Sequence, residues 1–186
     1  MREICLHLLD LAENSVSAGA HTITITVSED LAADRLLVSL ADDGRGMSPE
    51  VVAQVTDPFY TSRTTRKVGL GIPLLKEAAE ACQGGLQIVS QPGQGTSITA
   101  VFQHSHIDRM PLGKLSDTLL NLLTVHPEIH WIFNYSRQQP GEAQPYRFDF
   151  DDAPLKEVLD GLSLTHPHVL AYLRETLEAG LEGVQA

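Results

Sequence analysis

With 186 residues, 42% of them hydrophobic and 20% charged, the chain has the composition of a soluble globular protein able to bury a proper core. Its formal net charge of −11 argues against non-specific binding to nucleic acid or to anionic membrane. No apolar run reaches the roughly 18 residues of a membrane span, and Arg2 and Glu3 lead straight into a pattern broken by His7 and Asp10. No secretory leader is therefore expected, and a reducing cytoplasm is the expected compartment.

In chain order, residues 2–19 predict a helix. Leu8, Leu11, Ala12 and Val16 share one face, and Gly19 suits the C-terminal cap. Its middle turn holds Asp10, Glu13 and Asn14, although Asn prefers caps and turns to helix interiors. The alternation of Ile23, Ile25 and Val27 with threonines predicts a half-buried strand over 21–29, and 34–42 reads as a second. Ser48, Pro49 and Glu50 open a short helix, as N-cap and first turn. Residues 57–69 have no period and read as a loop, and a helix follows in which Pro73 is tolerable only in the first turn. The stretch 86–102 is a hairpin turning at Pro92–Gly93–Gln94–Gly95.

After His104 the pattern changes to helix (112–126), two strands (130–136 and 145–150) and two further helices. We therefore expect one domain over 1–103 and a second small α/β unit over 104–186, serving to dock a partner or to dimerise. Trp131, Phe133 and Tyr135 alternate as core residues of a strand. Cys5 and Cys82 form no motif and read as small buried residues.

Three glycine-rich turns carry the chemistry. In "DDGRGM" (42–47) an Asp at a strand end precedes Gly44 and Gly46. Backbone could approach a flat ligand there while the carboxylate accepts a hydrogen bond, although a tight turn or a calcium loop has the same spelling. "GLGI" (69–72) opens a helix, where bare N–H groups and the helix dipole favour an anion. "GQGT" (93–96) by itself is only a hairpin turn. Arg63, Arg66 and Lys67 crowd into the loop before Gly69 of an otherwise acidic chain, either as a solvated surface or as a lid over phosphates.

Taken in order, these boxes over residues 3–103 resemble the GHKL (Bergerat-fold) ATPases, which include histidine kinases, the DNA gyrase B subunit, mismatch-repair ATPases and anti-sigma-factor kinases. "DPFYTSR…VGLGI" and "SQPGQGTSITAVF" are similar to the histidine-kinase branch, and "ENSVSAGA" to the mismatch-repair branch. The resemblance implies an α/β (α+β) two-layer sandwich, a mixed and mostly antiparallel sheet covered by helices, with ATP and Mg²⁺ as ligands. It makes Asn14 a Mg²⁺ ligand, Asp42 the reader of the adenine amine, and Gly44, Gly46 and Met47 the floor beneath the purine. Gly69, Leu70 and Gly71 wrap the phosphates, with Arg63 and Lys67 closing over them, and Thr96 stands near the adenine.

Two positions depart from the family pattern. Hydrolytic branches place a Glu four residues before the Asn to activate water; here Asp10 stands there, one methylene shorter. Glu13 points about 100° away along the helix and is the poorer base. Lys67 replaces a glycine of the kinase box. A phosphoacceptor hairpin ahead of the ATP domain has no room before Asn14, and His7 lies on the ATP helix itself, so any acceptor is expected on a partner protein. The implied function is an ATP- and Mg²⁺-binding regulatory protein, a kinase acting in trans or a slow ATPase; the rival is a non-catalytic adenine-nucleotide sensor. The histidines of 104–106, 126–130 and 166–168 are not expected to hold zinc. His126 and His166, each before a proline, read as helix ends favourable to His.

Overall fold

The structure, a computed structural model, describes residues 3–56 and 71–182. Helix α1 (Ile4–Ser17) ends where Gly19 takes φ +77°, a left-handed conformation that costs glycine nothing. Strands β1 (Thr22–Asp30) and β2 (Arg35–Asp42) follow. Then comes α2 (Pro49–Gln54), capped by Ser48, whose Oγ accepts from the Val51 N–H at 3.5 Å. Helix α3 (Gly71–Ala81) holds Pro73 in its first turn, and β3 (Gly85–Gln91) and β4 (Gly95–Gln103) form the hairpin. The remaining chain supplies α4 (Leu115–Val125), β5 (His130–Gln138), β6 (Tyr146–Asp151), α5 (Ala153–Leu159) and α6 (Pro167–Gly180).

Among the described residues, six strands form one sheet, in the order β3-β4-β2-β1-β5-β6. Only β1 and β5 run parallel; the other neighbours are antiparallel. The mixed, mostly antiparallel, two-layer α/β architecture expected from the sequence is therefore present. The strands after residue 104 do not make a sheet of their own: β5 lies directly beside β1, with Ile25 opposite Phe133, and β6 extends the sheet from there.

One face of the sheet holds the core. Ile23, Ile25 and Val27 of β1 alternate with half-exposed threonines, and Trp131, Phe133 and Tyr135 of β5 continue the same buried layer. Helices cover that layer with apolar residues at helical spacing, such as Ile4, Leu8 and Leu11 of α1 and Val169, Leu173 and Leu177 of α6. The core also buries a polar knot: the Tyr135 hydroxyl donates to Glu29 Oε1 at 2.6 Å, and Glu29 Oε2 lies 2.8 Å from His104 Nε2. Burial first, then the carboxylate partner, holds the Tyr135 hydroxyl above its usual range. Cys5 and Cys82 are both buried and free, and burial pushes the Cys5 thiol up to about 12.

Candidate functional site

Asp42 ends β2 directly opposite Thr96 of β4. Its carboxylate is held on both oxygens: the Ser15 hydroxyl of α1 donates to Oδ2 at 2.5 Å, and the Gly44 N–H donates to Oδ1 at 2.9 Å. The side chain is thus aimed before any ligand arrives. Beyond it the chain comes too close to other backbone for a side chain. A Cβ on Gly46, at φ +65°, would stand 1.9 Å from the Gln91 carbonyl oxygen; one on Gly95, at φ +86°, would stand 1.8 Å from that of Asp42. These glycines are required by contact as well as by conformation.

Ser90, which sequence reasoning missed, joins these turns. Its Oγ accepts from the Met47 N–H at 2.8 Å, donates to the Gly95 carbonyl at 2.9 Å and lies 2.8 Å from Thr96 Oγ1. Met47, Gly95 and Thr96 are therefore one unit with Asp42. Neighbouring Asp43 receives the His21 and Thr22 N–H groups at 2.6 and 2.9 Å. Burial pushes its carboxyl up, but those donors outweigh burial and leave it below the usual range.

The other end belongs to α1. His7, Asp10 and Asn14 lie at i, i+3 and i+7, one stripe of the helix. Asp10 packs against the first residue of α3: a Cβ on Gly71 would lie 3.3 Å from Asp10 Oδ2. His7 is 2% exposed and faces the same Gly71 backbone, and among the described residues its buried Nδ1 has no hydrogen-bond partner. Burial holds its imidazole below the usual value. Asn14 is half-buried on the same helix, whose Ser15 reaches the Asp42 carboxylate. Arg63, Arg66, Lys67, Gly69 and Leu70 lie outside the described residues.

A nucleotide with a hard cation fits this donor set. By donor chemistry, the Asn14 amide oxygen is a neutral ligand suited to a hard cation, the Asp42 carboxylate is an acceptor already held by two donors, and the crowded glycines are bare backbone. Glu13 is taken up elsewhere, its Oε1 lying 2.9 Å from Nε2 of His126 at the end of α4.

His166 corrects the sequence reading. It caps the N-terminus of α6, where its Nδ1 faces the His168 N–H, so a cationic imidazole gains nothing from that helix dipole. His130, Asp151 and Asp152 bring ligand atoms within 4.8 Å of one another. Asp151 Oδ1 accepts from the Ala153 N–H and lies 2.8 Å from His130 Nε2, while Asp152 accepts from the Trp131 N–H and meets Lys156 at 2.7 Å. The cluster locks β6 to α5. No helix among the described residues is long and apolar enough to cross a membrane.

Residues 2–106 match the family described as histidine kinase-, DNA gyrase B- and HSP90-like ATPase. The sensor protein kinase FleS of Pseudomonas aeruginosa is 39% identical over 94 residues, which is 50% of this chain and 23% of that protein. Sporulation kinase C of Bacillus subtilis is 28% identical over 93 residues, 50% of this chain and 22% of its own length. The chain thus spans under a quarter of these relatives. The solved ATPase domain of Aquifex aeolicus MutL, complexed with ADP, superposes with a TM-score of 0.50 at 16% identity. It covers 86% of this chain and 68% of its own, a likeness of fold that reaches past residue 106.

Proposed function

The chain belongs to the histidine kinase-, DNA gyrase B- and HSP90-like ATPase family, and from that premise we propose that it binds Mg²⁺–ATP and regulates a partner protein, as a kinase acting in trans or as a slow ATPase. The observation that carries this reading is the Asp42 carboxylate, pinned by Ser15 and Gly44 beside glycines that admit no side chain.

In this reading Asp42 accepts from the adenine amine, and Gly44, Gly46, Met47 and Thr96 shape the base pocket. Asn14 holds Mg²⁺. Gly71, with Gly69, Leu70, Arg63 and Lys67, holds the phosphates. ATP supplies the phosphoryl group, and catalysis rests on positioning and charge neutralisation more than on covalent chemistry by the protein. Asp10, against Gly71, orients water. Residues 104–186 are the accessory segment through which a partner protein docks, and the compartment is the cytoplasm.

The second reading is a nucleotide sensor that sets a conformation and transfers nothing; Asp10, one methylene short of the Glu of the hydrolytic branches, leans instead toward weak hydrolysis. Incubation of the pure protein with labelled ATP and Mg²⁺, with and without cell extract, separates the readings. A slow ATPase gives turnover that Asp10→Asn abolishes and Asp10→Glu raises. A trans kinase gives label on an extract protein and negligible hydrolysis. Tight binding with neither leaves the sensor, and equal affinity for ATP and GTP sinks the adenine assignment of Asp42.

A further inference from the structure

The face of the sheet turned away from the helices has an unusual chemistry that the ATPase reading does not use. Its side chains can be followed in rows across the strands. The middle row runs Gln87, Thr99, Ser39, Thr26, Asn134, Asp149. The row on one side starts at Val89 and ends at Asp151; the row on the other starts at Gly85 and ends at Arg147. In all three rows the first five positions carry no charge, and charge appears only at β6. A further charged pair, Asp30 opposite Arg35, closes one end. Leu37, Val101 and Ile132 also lie on this face, outside the hydrophobic core.

A water-facing sheet surface normally alternates with polar and charged residues. In a chain where 20% of residues are charged, an uncharged centre with a charged margin instead has the anatomy of an interface. We propose that this face is a dimer interface, packing sheet to sheet against a second copy of the chain.

Three observations choose a second copy as the occupant. Two molecules of net charge −11 repel, and this is a surface on which they meet without opposing like charges. Hydroxyl and amide side chains both donate and accept, so such a face is complementary to itself under a two-fold axis, as an isologous contact requires. The area also suffices. One residue on a sheet face covers about 30 Å², so three rows of five cover about 450 Å² per copy. With the β6 margin the total buried reaches about 1,000 Å², the lower limit for a specific interface, so the dimer should dissociate at micromolar concentrations. Asp42, Asn14 and Gly71 belong to the helix-covered side and stay open, and the proposal stands whether or not ATP binds.

Thr26 lies in the middle row on one of the two central strands. Thr26→Lys and Thr26→Glu each set like charges against each other in a symmetric pair. Sedimentation velocity on the full chain, from low to several hundred micromolar, should show monomer giving way to dimer for the wild type and for Thr26→Ser. Each charged variant should associate at least tenfold more weakly, and an equimolar mixture of the two should recover the dimer. Thermal melting checks that the variants fold; if they do not, Asn134→Lys and Asn134→Glu apply the same test on the adjacent strand. A wild type that stays monomeric throughout overturns the proposal. So does a dimer that the charged variants leave intact, or a mixture of opposite charges that fails to associate.

Discussion

The two ends of the candidate site are built from different materials. At the Asp42 end, backbone meets backbone: Gly46 lies against Gln91 and Gly95 against Asp42, and Ser90 ties the two turns together. At the α1 end, Asp10 and Asn14 are side chains on a helix, and Asp10 lies against the first residue of a second helix. The first end has its shape set by close contact, so adding a side chain at its glycines changes the fold. The second can alter its chemistry by one methylene while the helix beneath stays the same. The departure from the family pattern at Asp10 falls at the end that tolerates it.

The sharpest way to break this contrast is Gly95→Ala. Its Cβ cannot coexist with the Asp42 carbonyl, and its backbone is left-handed, so β2 and β4 must part locally. Urea unfolding should show a loss of about 3 kcal/mol or more. A variant as stable as wild type would mean that this end is not set by backbone contact. Asp42→Asn comes next: the shape survives but the charge-assisted acceptor does not, and adenine-nucleotide affinity should fall by about 1.5–3 kcal/mol in calorimetry.

Asn14→Ala probes the other end. Ala is the better helix former, so the fold should hold, while ATP affinity drops about tenfold with Mg²⁺ and hardly at all in EDTA. Unfolding without any change in affinity would make Asn14 structural and erase the distinction between the ends. The smallest effect concerns Asp43, whose carboxyl is held low by the His21 and Thr22 N–H groups in spite of burial. A lowered folded value contributes stability that is present above the ordinary carboxylate range and lost as pH falls through the lowered value. Melting curves of wild type and Asp43→Asn should therefore differ slightly at neutral pH and converge in acid.

Much of this was legible in the sequence because it is local. The alternating Ile and Thr of residues 22–27 announce their strand, and Ser48–Pro49 announces the start of α2. The glycine boxes reveal where backbone is crowded, although not by what. Ser90 is illegible because its importance lies in three partners drawn from two other turns, and a serine in a strand has no pattern of its own. The parallel pairing of β1 with β5 is invisible for a related reason: nothing in either strand encodes its neighbour. His166 was misjudged because a His–Pro step marks a helix boundary without saying which end it is.

That parallel pairing bears on how the chain is made. Thr22 sits opposite His130, so the central strand must wait for a partner more than a hundred residues downstream. At ordinary rates of synthesis the wait is about 5–20 s, during which β1 can pair with β2 but presents its other edge, a row of unpaired N–H and C=O groups. A nascent chain in that state is a substrate for chaperones and a template for mispairing. Ending the gene at residue 103 would make the exposed edge permanent.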